Sequence, residues 1–189
     1  MSPGDPVGPG PDETARNETA RNETARNETA RNETSRDDLS PSIDDDALVT
    51  ELLGRPPAGA FDVVVRAENG VPAVIANAPF LHDGTPMPTR YWLVDPALRE
   101  AVSRIESSGG VREAEAAIPE ERVADAHARY AAERDTLISK DHQGPRPSGG
   151  VGGTRQGVKC LHAHLAWWLT GADDPVGEWT AVRIGLHPS

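Results

Sequence analysis

A five-residue repeat sets the first limit on what this chain can fold into. Glu-Thr-Ala-Arg-Asn occurs four times over Glu13–Asn32, and a worn copy, Glu33-Thr-Ser-Arg-Asp37, follows. Five residues advance roughly 500° on an α-helix, so each copy lands about 140° round from the last. The charges then wrap every face and no apolar stripe forms. Alanine is the only apolar side chain in the unit, and a unit with nothing to bury cannot stack as a solenoid. Pairs such as Glu13 and Arg16 support transient helix only, at about 0.2–0.5 kcal/mol each. Residues 1–11 are rich in Pro and Gly and sustain neither helix nor sheet. The expectation is a disordered acidic arm over residues 1–41, the product of tandem expansion, and one globular domain over residues 42–189.

Charge follows the same division. The chain has 30 acidic and 19 basic side chains, a net of −11. Residues 1–46 hold 12 acids and 5 arginines, a net of −7, which leaves −4 for the remainder. Nucleic acid and anionic membrane surfaces are therefore not expected partners, because both need a basic face. No apolar run reaches the roughly 18 residues of a membrane helix. The N-terminus lacks the basic start and apolar run of an export signal, so the sequons at Asn17, Asn22, Asn27 and Asn32 are not expected to be glycosylated. One cysteine rules out an intramolecular disulfide framework and suits a reducing cytoplasm.

After the arm, local signals alternate. Ser42 can cap a helix whose first turn holds Asp44–Asp46, and Gly54 with Pro56-Pro57 stops it. Three strands are predicted, over Phe61–Ala67, Pro72–Pro79 and Tyr91–Val94, with Glu68-Asn69-Gly70 as the first turn. Asp83-Gly84 and two prolines fix the loop before the third. Asp95 caps a helix with Pro96 at its first position, and Gly109-Gly110 ends it. A longer helix is predicted from Pro119 to Ser139, with Val123, Ala126, Tyr130 and Leu137 in line. Residues 141–157 read as a flexible loop, Val158–Thr170 as the last helix, and the tail as a short closing segment with Trp179 packed back. The fold class is α/β in the α+β sense: a small antiparallel sheet of about three strands with three to four helices.

The blocks Asp83–Leu93 (DGTPMPTRYWL), Val102–Glu106 (VSRIE) and Val158–His162 (VKCLH) occur in order. Over roughly Leu48 to Trp179 the chain resembles an uncharacterised bacterial family, domain of unknown function 501. The resemblance implies no activity. It does imply a pattern of three cysteines and a histidine, at the positions of Ala67, Asp95, Cys160 and His162, which together would hold zinc. This chain departs from that pattern at two positions: Asp95 can coordinate a metal and Ala67 cannot.

The stretch Gly149–Gly171, GGVGGTRQGVKCLHAHLAWWLTG, concentrates the reactive residue types, with the only cysteine, two of six histidines and two of four tryptophans. With Val158–Thr170 as one helix, Cys160 and His164 share a face while His162 points about 200° away. Further metal ligands then come from Asp95, His82 or Asp83, giving a candidate set of Cys160, His164, Asp95 and His162, with zinc the fitting ion. Paired CxxC ligands are absent, and the structural alternative makes Cys160 a small buried residue and His164 a hydrogen-bonded core histidine. A third reading makes Cys160 a nucleophile activated by a helix N-terminus, Lys159 and a histidine. The glycine loop invites an anion held by Arg155 and Lys159, although it lacks the GxxxxGK[ST] register and a preceding strand. Arg104-Ile-Glu106 reads as a solvated or capping pair, and Trp167-Trp168 as core and edge packing. The expected function is a non-enzymatic binding or regulatory domain for a small molecule or protein, its pocket between residues 81–95 and 158–170. In that pocket Asp95 or Thr85 should face Cys160 or His164. The alternative is a metal-dependent or cysteine hydrolase with a degenerate site.

Overall fold

A computed structural model describes residues 43–186; the expected acidic arm lies outside them. The order is α1 (Ile43–Leu53), β1 (Phe61–Arg66), β2 (Pro72–Asn77), β3 (Tyr91–Leu93), α2 (Pro96–Ser107), α3 (Gly110–Ala117), α4 (Glu120–Asp135), a single 3-10 turn (Val151–Gly153), α5 (Leu161–Leu169) and α6 (Pro175–Arg183). The sheet has strand order β1-β2-β3, antiparallel throughout. This is the α+β architecture expected, with more helices than the three to four foreseen.

The sheet is covered on both faces, which explains the composition of its central strand. Every residue of β2, Pro-Ala-Val-Ile-Ala-Asn, is buried, and a strand buried on both faces reads as a continuous apolar run. Ile75 joins Phe61, Val63 and Val94 against Val49 of α1. Val74, Ala76, Tyr91 and Leu93 face the larger core, with α5, α6 and the helices between. α5 is apolar almost all round, as a helix enclosed by its neighbours must be. Leu161, Leu165 and Ala166 have no exposed surface. Trp167 is buried and Trp168 half-buried, the expected core and edge pair.

Helix boundaries depart from expectation in several places. Gly109 does end α2, but it does so with one left-handed residue (φ 99°), and α3 starts at once. The tail is not a closing segment but a helix: Asp174 and Pro175 repeat the Asp95-Pro96 start, and the Asp174 carboxylate accepts from the N–H groups of Val176 and Gly177. α4 stops at Asp135, so Leu137 leaves the predicted line and is 50 % exposed.

The loop before α5 is pinned rather than flexible. Arg134 of α4, 1 % exposed, donates to the carbonyls of Gly149 (2.8 Å) and Pro147 (3.2 Å). Val151 is fully buried. Gly150 lies so close to α4 that a Cβ there would stand 2.4 Å from the Cβ of His127. Gly177 allows a similar approach of α6 to α5, where a Cβ would meet that of Trp168 at 2.4 Å. No helix among the described residues is long and apolar enough to cross a membrane.

Candidate functional site

α5 begins at Leu161, three residues later than the sequence suggests, and this changes which histidine meets the cysteine. Cys160 is the N-cap residue, with extended backbone (φ −156°, ψ 117°). Helical periodicity therefore does not relate it to His164, and the expectation that those two share a face is corrected. His162 is the neighbour: its Nδ1 lies 3.8 Å from Cys160 Sγ. Cys160 itself is half-buried, as the wall of a cleft requires.

The third member comes from α2. Glu106 Oε1 lies 3.2 Å from His162 Nδ1 and accepts the Leu161 N–H at 2.6 Å. It thus caps α5 from another helix, supplying the acceptor that Cys160 does not. The other ring nitrogen of His162, Nε2, faces the Arg99 carbonyl at 3.1 Å and Ser103 Oγ at 3.2 Å. With acceptors at both nitrogens, the imidazolium is favoured. The Cys160 sulfur first, then the Glu106 carboxylate and the Arg99 carbonyl, raise the His162 pKa to about 9, against burial, which lowers it.

Cys160, His162, Arg99 and Ser103 line an open cleft of about 450 Å³ between β3, α2 and the start of α5. Leu53, Tyr91, Trp92, Leu93 and Ala163 supply apolar wall; Thr89, Arg99, Ser103, Cys160 and His162 supply polar groups. The segments 81–95 and 158–170 do meet, through residues 89–93 and 160–163.

The remaining candidates sit elsewhere in the molecule. The Asp95 carboxylate accepts the Leu98 N–H at 2.8 Å as the cap of α2, and Ala67 lies in the turn after β1. Asp83 closes its own turn by accepting from Thr85 N–H, and His82, Asp83 and Thr85 are exposed. Arg155 and Lys159 are exposed too. The loop N–H groups near them are engaged within the protein: Gly150 with the Thr154 carbonyl, Val151 with His127, Val158 with Glu115.

His164 belongs to a second, buried cluster. Its Nδ1 lies 2.7 Å from Asp174 Oδ2, both side chains having no exposed surface. Its Nε2 has no hydrogen-bond partner among the described residues. The His127 ring stands 5.7 Å away, centroid to centroid. This is the hydrogen-bonded core histidine of the structural alternative. Sequence reasoning missed two further polar anchors. Glu133 accepts from Tyr91 O–H and from Trp167 Nε1–H (2.9 Å). The Tyr130 hydroxyl accepts the Arg90 N–H, and burial pushes its pKa up to about 12. Spacing does place Tyr130 in the buried line, but nothing in an alanine- and charge-rich helix marks Glu133 or the partner of the Tyr130 hydroxyl.

A family model described as "Protein of unknown function (DUF501)" matches residues 63–182. No curated protein matches, and no solved structure does.

Proposed function

The chain belongs to the DUF501 family, whose function is unknown, and we propose that it acts as a small-molecule binding domain through the cleft between β3 and the start of α5. One observation supports this reading above others: a single cleft is lined both by apolar Tyr91, Trp92 and Leu93 and by polar Ser103, Cys160 and His162. The cleft volume of about 450 Å³ falls within the usual range for small-ligand sites. Such a site suits a ligand with an apolar body and a hydrogen-accepting or anionic head, which the His162 imidazolium attracts. A reducing cytoplasm is the setting that keeps Cys160 a free thiol.

Anilinonaphthalenesulfonate, with an aromatic body and an anionic head, is a fitting probe. It should bind saturably, with energy transfer from Trp92. Ser103→Phe, an exposed helical position at the mouth, should abolish that binding with the far-ultraviolet circular dichroism unchanged. Equal binding by both proteins, or none by either, would count against the cleft. The second reading, a metal-dependent or cysteine hydrolase, draws on the Cys160–His162–Glu106 contacts and requires turnover that Cys160→Ala removes.

A further inference from the structure

We propose that Glu106, Cys160 and His162 hold one divalent transition-metal ion of the zinc class, through carboxylate oxygen, thiolate and Nδ1, with a further coordination position open to the cleft. The inference rests on the cleft reading only for that open position.

Geometry carries it. The three ligand atoms all lie within 4.8 Å of one another. His162 Nδ1 is 3.2 Å from Glu106 Oε1 and 3.8 Å from Cys160 Sγ. Zinc binds nitrogen and oxygen at about 2.0–2.2 Å and sulfur at about 2.3 Å, which puts atoms on adjacent tetrahedral corners about 3.3–3.6 Å apart. The two separations from His162 bracket that range, and the third, between Cys160 and Glu106, is within 4.8 Å, so side-chain movements alone close the site.

The surroundings of the three ligands also fit. A metal-bound histidine almost always gives its other ring N–H to a carbonyl or carboxylate, and His162 Nε2 faces the Arg99 carbonyl at 3.1 Å. That contact turns the Nδ1 lone pair toward Cys160 and Glu106. The Leu161 N–H, 2.6 Å from Glu106 Oε1, orients the carboxylate in the same way. Thiolate and carboxylate together carry two negative charges, which a divalent ion neutralises. A thiolate with an imidazole selects zinc-like ions over magnesium or calcium. Three protein ligands beside an open cleft form the arrangement of zinc sites that keep a position for water or substrate.

Cobalt(II) titrated into the full chain, with its thiol reduced, tests the site. The expected result is a thiolate-to-cobalt charge-transfer band that saturates at one equivalent and is absent in Cys160→Ser. Glu106→Gln and His162→Ala should each weaken cobalt binding roughly tenfold or more, as even supporting residues of metal sites do. Cys160→Ser is close to isosteric, so it remains informative if the loss of the Glu106 cap loosens α5. A folded wild-type chain without the band overturns the site, as does a band unchanged in both Glu106→Gln and His162→Ala. A chain that binds the dye but not cobalt overturns the metal site and leaves the cleft standing. One that binds cobalt but not the dye supports the metal and overturns the small-molecule reading.

Discussion

Val151 donates its N–H to His127 Nδ1 at 3.1 Å, which leaves the ring proton on Nε2, 2.9 Å from the Gly157 carbonyl. His127 is thereby held neutral and joins α4 to both ends of the loop before α5. Its pKa is lowered chiefly by burial and further by His164, while the Gly157 carbonyl and Asp174 oppose the shift. A histidine with a lowered native pKa takes up protons more readily when unfolded, so its contribution is complete above the unfolded value of about 6.5 and falls away as pH drops toward the native value. His162, with its raised pKa, acts in the opposite sense over this range, so the His127 share is read by comparing urea unfolding of the wild type and of His127→Gln at pH about 7.5 and about 5.5. His127→Gln should be less stable at the higher pH but lose less between the two. An equal loss in the variant would assign the acid sensitivity to other groups. None of this was legible in the sequence, where His127 is one polar residue in a charged helix. Arg134 was hidden for the same reason: carbonyls of Pro147 and Gly149 leave no trace in residue type.

Two helix starts share one signature, Asp-Pro, and only one was read from the sequence. Asp95-Pro96 follows a strand and precedes a long amphipathic run, whereas Asp174-Pro175 opens a nine-residue helix within what reads as a tail. Asp174 does more than cap. Oδ1 accepts from Val176 and Gly177 N–H at 2.9 and 3.0 Å, and Oδ2 faces His164 at 2.7 Å. Asp174→Ala should cost about 2–4 kcal/mol, combining a lost cap with a buried imidazole left without a partner. Asp174→Asn, which keeps the capping oxygen, should cost less; equal losses by urea denaturation would show that the His164 contact dominates. Placement of the α5 start had the larger consequence for the site. Beginning that helix at Val158 paired Cys160 with His164; its true start at Leu161 pairs Cys160 with His162. No spacing rule reaches Glu106, 55 residues away from the N–H it caps.

β2 belongs to both packed clusters, Ile75 on one face and Val74 with Ala76 on the other, and so joins α1 to the remaining helices. The three strands were legible because β-branched runs and an Asn-Gly turn are local signals. The two-sided burial was foreshadowed only by the lack of alternation in Pro-Ala-Val-Ile-Ala. The N-terminal repeat enters at this scale through its composition, since alanine alone offers it apolar surface. A chain starting at Ser42 should melt at the same temperature as the full chain, by circular dichroism; a lower value would assign residues 1–41 a share in the stability of the fold.

Glu106 holds two groups at once, the first N–H of α5 and His162, which lines the cleft. Occupancy of the cleft and integrity of a central helix are then thermodynamically linked through one carboxylate. By mass action, any occupant that prefers the folded chain raises its stability, by about 2.7 kcal/mol at a hundred times its dissociation constant. The melting temperature of this protein becomes a readout of what its cleft takes up, without any assay of turnover.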